Sequence, residues 1–185
     1  MADLHYDAAQ VAARFDKMIV LEGVIESGKT RTLSFVCAKL VEAGWRRIFS
    51  ITGEGEYSLD SVRDVNNKIF DRGLVFEKEG KHIFVLTAGD KLWARNASEW
   101  YAFTYAMSNI FLRSHNELKD IKIDLVICPC RSRICENSVK WEILQHYSNQ
   151  VIKWFYTEKL PSESNWVHER EILADEIMAK MNEII

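Results

Sequence analysis

Apolar positions along the chain alternate between short unbroken blocks and longer stretches spaced at three and four residues. Met18-Ile19-Val20-Leu21 is an unbroken apolar block of strand length and reads as a buried strand, the first of five. Downstream, Thr30, Leu33, Val36, Cys37 and Leu40 recur at helical spacing, and Gly44 supplies a stop signal. Ile48-Phe49-Ser50-Ile51 reads as strand two, and its exit Thr52-Gly53-Glu54-Gly55-Glu56 is a glycine-rich acidic loop. Ser58 or Asp60 can cap a helix carrying Val62, Val65 and Ile69, ended by Gly73. Leu74-Val75-Phe76 and Ile83-Phe84-Val85-Leu86 flank Glu77-Lys78-Glu79-Gly80-Lys81, a hairpin signal whose second arm is the best strand three. Asn96-Ala97-Ser98-Glu99 has the capping-box pattern and opens an aromatic helix with Trp100, Tyr101, Phe103, Tyr105 and Phe111.

The remainder repeats the alternation. Ile123 to Ile127 is strand four, Val139, Ile143 and Tyr147 mark a helix, and Val151 to Tyr156 is strand five. Ser164 caps a terminal helix with Val167, Leu173, Ile177, Met181 and Ile184. Ahead of strand one, Tyr6 to Phe15 reads as a short amphipathic helix, so residues 1–16 form a helical extension able to cover a sheet edge. Strands alternating with helices predict an α/β fold, a five-stranded and mainly parallel sheet with helices on both faces, as one domain over residues 1–185.

Composition narrows the partners. The chain has 185 residues, 48% hydrophobic and 28% charged, the balance of a soluble globular domain. A formal net charge of −3 argues against a general nucleic-acid surface, which is normally basic. No apolar run approaches the length of a membrane span. The first residues lack the basic and apolar regions of a signal peptide. Four cysteines, three of them crowded together, fit a reducing interior, so the expected location is the cytoplasm.

Gly23-Val24-Ile25-Glu26-Ser27-Gly28-Lys29-Thr30 has the spacing G-x-x-x-x-G-K-T, between a strand and a helix. In that context the glycines let backbone N–H groups cradle phosphate oxygens, and the helix start adds its positive dipole end. Lys29 would reach the β- and γ-phosphates, and the Thr30 hydroxyl would ligate Mg²⁺. The nucleotide-contacting set is Gly23, Glu26, Ser27, Gly28, Lys29, Thr30 and Arg31. The Glu26 side chain should point away from the phosphates, whose charge it shares.

Metal and catalysis need more residues. Asp90, after strand three, is the leading second metal ligand, against a simple turn-forming role; Asp124 competes but stands at a strand entry. Glu54 and Glu56 could accept a proton or orient a water, or merely solvate a loop. Arg131 and Arg133, straight after strand four, could clamp phosphate or lie on the surface. Cys128, Cys130 and Cys135 have the spacing C-x-C-x-x-x-x-C. It matches none of the strong zinc patterns, and small buried residues are the preferred reading.

The segment from Lys17 to Thr30 resembles the P-loop nucleoside triphosphatases, and is most similar to thymidylate and deoxynucleoside kinases, whose loops also follow an apolar strand ending in Glu-Gly. That resemblance implies a three-layer fold with strand order 2-3-1-4-5, a carboxylate after strand two and arginines after strand four. Glu54 or Glu56, and Arg131 with Arg133, occupy the matching stretches. The acidic-arginine pair those kinases carry after strand three is replaced by Thr87-Ala88-Gly89-Asp90. Two activities follow as expectations. One is ATP- and Mg²⁺-dependent phosphoryl transfer to a small acceptor. The other is a regulatory ATPase or GTPase whose hydrolysis switches a contact with a protein partner or a second copy.

Overall fold

The computed structural model describes residues 13–52, 72–87, 120–134, 138–161 and 165–185. Its elements are β1 (Phe15–Gly23), α1 (Lys29–Glu42), β2 (Arg46–Thr52), β3 (Arg72–Lys78), β4 (Lys81–Leu86), β5 (Ile123–Arg131), α2 (Val139–His146), β6 (Val151–Thr157) and α3 (Trp166–Ile184). The strands form one mixed sheet in the order β2-β3-β4-β5-β1-β6. β4, β5, β1 and β6 run parallel, while β3 is antiparallel to both β2 and β4.

Two expectations are corrected here. The sheet has six strands, because the first hairpin arm is inserted as β3. The expected order 2-3-1-4-5 is also wrong: the fourth expected strand, now β5, lies between the third, β4, and the first, β1. The apolar runs cannot distinguish the two orders, since both keep residues 18–21, 83–86 and 123–127 in interior strands. A third correction is local. Phe15 and Asp16, assigned to the N-terminal helix, begin β1; residues 1–12 lie outside the described residues.

Side-chain alternation gives the sheet two buried faces. On one, Met18, Val20, Val126, Cys128 and Cys130 pack with Val139, Ile143 and Tyr147 of the α2 segment. On the other, Ile19, Leu21, Leu125 and Ile127 pack with Leu33, Val36, Cys37 and Leu40 of α1 and with Ala174, Ile177, Met178 and Met181 of α3. Gly44, at φ 85, ends α1 as expected, because a left-handed residue stops the helix without a β-carbon clash. The hairpin turn is only Glu79-Gly80, both at positive φ, which matches the twist of the flanking strands. α3 is capped by Asn165, whose side chain accepts a bond from His168 N. The expected cap, Ser164, lies outside the described residues, as do the expected helices at 58–69 and 96–111.

The order decides where a ligand would sit. β1 connects through α1 towards β2, and β5 connects through α2 towards β6, in opposite directions across the sheet. Right-handed crossovers in opposite directions require helices on opposite faces, as α1 and α2 are. By the switch-point rule for open α/β sheets, the carboxyl ends of β1 and β5 mark the crevice expected for a ligand. Pro129 lies within β5, beyond the last β4 pairing at Val85–Ile127. There, among the described residues, β5 is paired with β1 alone and tolerates a residue without an N–H.

Candidate functional site

Gly23 ends β1, and the chain turns through Val24–Gly28 into α1. Glu26 (φ 59) and Gly28 (φ 85) take the left-handed conformation that reverses the chain within so few residues. Gly23 has no room for a side chain: a β-carbon there would run into the Thr157 and Ser27 hydroxyls and lie 2.7 Å from the Thr157 carbonyl oxygen. The Ser27 and Thr157 hydroxyls share a hydrogen bond of 2.5 Å, tying the loop to the end of β6.

The helix start is electropositive by construction. α1 has no side-chain cap and no acidic residue in its first turn, so its leading N–H groups keep the partial positive charge of a helix N-terminus. Lys29 is buried, and its ammonium donates to Gly23 O (2.8 Å) and Val24 O (2.6 Å), which holds the charge inside the loop. Thr30 donates its hydroxyl proton to Thr87 O at 3.0 Å. This bond connects α1 to the end of β4, even though β4 is not adjacent to β1 in the sheet. Glu26 is exposed and its carboxylate pairs with Lys159 at 3.1 Å, turned outward as its charge requires.

A second wall comes from the far end of the chain. Trp166 and Arg170, one turn apart on α3, both face α1. The Arg31 guanidinium carbon lies 4.0 Å from the Trp166 ring centroid. Arg170 is buried and packs against Gly28, and its Nη2 donates to Glu158 O at 2.6 Å. Burial lowers the Arg170 pKa from the ordinary arginine value, with Glu169 opposing. Nothing in the sequence marked these two residues, because Arg31 and Gly28, the parts of the loop they meet, are more than a hundred positions away.

Opposite the loop, Arg131 is the register partner of Gly23, and it is half-buried while Arg133 is exposed. The two arginines read as a pair are therefore unlike: one borders the crevice and one faces solvent. Glu22, on the α2 face of β1, is buried and pairs with Lys140 at 2.8 Å; Lys140 also lies 5.9 Å from the Trp154 ring. That ion pair, also missed in the sequence, fixes the first turn of α2 beside β1.

Asp124 is at the entry of β5, where it accepts from His82 N (2.8 Å) and faces Lys81 (3.6 Å), holding β4 to β5 at the edge away from the glycine loop. Cys128 and Cys130 are buried among apolar side chains, and burial pushes the Cys128 thiol well above its ordinary pKa. Among the described residues no group of three or more His, Cys, Asp or Glu side chains could hold a metal ion. Glu54, Glu56, Asp90 and Cys135 lie outside the described residues. A Mg²⁺ ion at Thr30 would need no acidic cage of protein ligands, since magnesium takes most of its oxygens from phosphate and water. Among the described residues no helix is long and apolar enough to cross a membrane. The chain matches no family model, no curated protein and no solved structure.

Proposed function

We propose that the chain is a P-loop protein that binds Mg·ATP and transfers the γ-phosphoryl group to a small acceptor. The observation that carries this reading is the loop itself. A buried lysine is held by its carbonyls, at a helix start without a side-chain cap, just past the carboxyl end of β1. In this reading Gly23 to Thr30 hold the triphosphate, with backbone N–H donors on the phosphates and Lys29 exchanging its carbonyl partners for phosphate oxygens. Thr30 contributes its hydroxyl to Mg²⁺, which neutralises phosphate charge, and Asp90 is the proposed second ligand. In the same reading Arg131, level with Gly23 across the β1–β5 pair, would meet charge on the transferred group, since positioning with electrostatics does most of the work in such a transfer.

The same atoms support a second reading, a regulatory ATPase or GTPase. The Thr30–Thr87 bond ties the loop to the end of β4, so occupancy at the loop could be read by the chain that follows.

Titration calorimetry of Mg·ATP into the wild type and Lys29→Ala tests the core of the proposal. The variant should bind at least about tenfold more weakly, since a hydrogen bond to a charged group is worth about 1.5–3 kcal/mol. Equal affinity in the two proteins overturns the reading. Release of ADP on addition of nucleosides, nucleotides or sugars then separates transfer from acceptor-independent hydrolysis.

A further inference from the structure

The wall built by α3 has a chemistry that the phosphate loop does not use. Thr30 closes the phosphate motif, and Arg31 follows it directly. The Arg31 guanidinium does not extend into solvent: it lies over the Trp166 indole, 4.0 Å from carbon to centroid. At that distance the guanidinium and the indole make a cation–π contact, which restrains the long Arg31 side chain. Trp166 is itself 39% exposed, so part of a large flat ring remains at the lip of the loop.

Its position is set by a separate contact. Arg170, one turn further along α3, leans on Gly28 and holds the Glu158 carbonyl. Lys159 pairs with Glu26 across the same seam. The start of α3, the segment after β6 and the start of α1 are therefore braced together, with the Arg31–Trp166 stack at their meeting point.

We propose that this stack is the platform for the nucleobase of the bound nucleotide, and that it favours a purine. The inference rests on the proposed nucleotide reading. With a triphosphate in the loop, the α-phosphate lies near the start of α1, and the sugar and base leave past Arg31. A base reaching the pair would meet a planar cation and the exposed part of an indole ring, both suited to π contact. Stacking area is larger for a two-ring base, so ATP and GTP gain more than CTP and UTP. Discrimination between ATP and GTP is small, since a stack reads the ring face and not its hydrogen-bonding edge.

The test compares ATP with inorganic tripolyphosphate, each with Mg²⁺, on wild type, Trp166→Ala, Trp166→Phe and Arg31→Ala, with melting temperatures confirming that each variant is folded. Trp166→Ala should weaken ATP about tenfold, the scale of one lost base-stacking partner, and leave tripolyphosphate within about twofold, while Arg31→Ala, which also removes a charge beside the phosphates, should weaken both and ATP the more. Trp166→Phe should keep most of the ATP affinity, and wild type should bind ATP more tightly than CTP. If Trp166→Ala does not fold, the Phe and Arg31 variants and the purine preference still decide. Equal losses for ATP and tripolyphosphate, or no loss for either, overturn the platform while leaving the phosphate loop intact. Wild type that binds neither ligand overturns the nucleotide reading and the platform with it.

Discussion

Arg170 lies against the α-carbon of Gly28, with its Nε 2.5 Å from the point where a β-carbon would stand. Gly28 is thus constrained twice, by a φ of 85° and by a buried guanidinium at its back. Gly28→Ala should cost more than the roughly 1 kcal/mol that left-handed backbone alone imposes on a residue with a β-carbon. Adding Arg170→Ala removes the clash but not the dihedral strain. The two changes should therefore be non-additive in urea unfolding, with the double variant more stable than the sum of the singles. Strict additivity would mean that Arg170 does not press on the loop.

Arg131 and Arg133 should behave differently. Arg131 is beside Gly23 at the crevice, and Arg133 is exposed. If Arg131 meets charge in the transition state, Arg131→Ala lowers kcat on the order of 10³-fold with little change in nucleotide affinity. Arg133→Ala should stay within about twofold, as surface changes usually do. Steady-state turnover of ATP by the two variants decides between them. A larger loss at Arg133 would reverse the assignment.

The Glu22–Lys140 pair gives a stability prediction independent of any ligand. Both side chains are largely withdrawn from water, at 9% and 16% exposure. Lys140→Met leaves the carboxylate buried alone and should cost about 3–5 kcal/mol. Lys140→Met with Glu22→Gln should recover much of that loss, because no unpaired charge remains. Denaturant midpoints of the single and double variants test this directly.

Thiol labelling checks the packing of β5. Only a thiolate alkylates, and burial keeps the Cys128 thiol protonated well above its ordinary range, with Cys130 adding to the effect. In the native protein at pH 8, Cys128 and Cys130 should resist iodoacetamide, and both should label fully in denaturant. Mass spectrometry of the peptides gives the answer, and rapid native labelling would mean that β5 is open at its carboxyl end.

The strand positions and the glycine loop were legible because each is a local pattern. A run such as Met18–Leu21 and a spacing such as Gly23–Thr30 need no distant partner to be read. Lateral order was not legible: β5 and β4 carry the same apolar signal whichever of them borders β1. The same limit hid the second wall. Arg170 at helical spacing from Trp166 looks like any partly charged helix face, and only folding brings those two residues to Gly28 and Arg31. Glu22 was visible as the residue before Gly23, yet its partner Lys140 is 118 positions away.

That same distance has a bearing on how the molecule is made. β1 pairs with β5 on one side and β6 on the other, both from the last third of the chain. During synthesis β1 and the Gly23–Thr30 loop are made before either neighbour of the strand, and the 99 residues from 24 to 122 must follow before β5 begins. The β3–β4 hairpin, with a two-residue turn, needs no such wait. A nascent chain halted at residue 120 would carry the whole of Gly23–Thr30 and neither strand that flanks β1, so the loop takes its final setting only once β5 and β6 have been made.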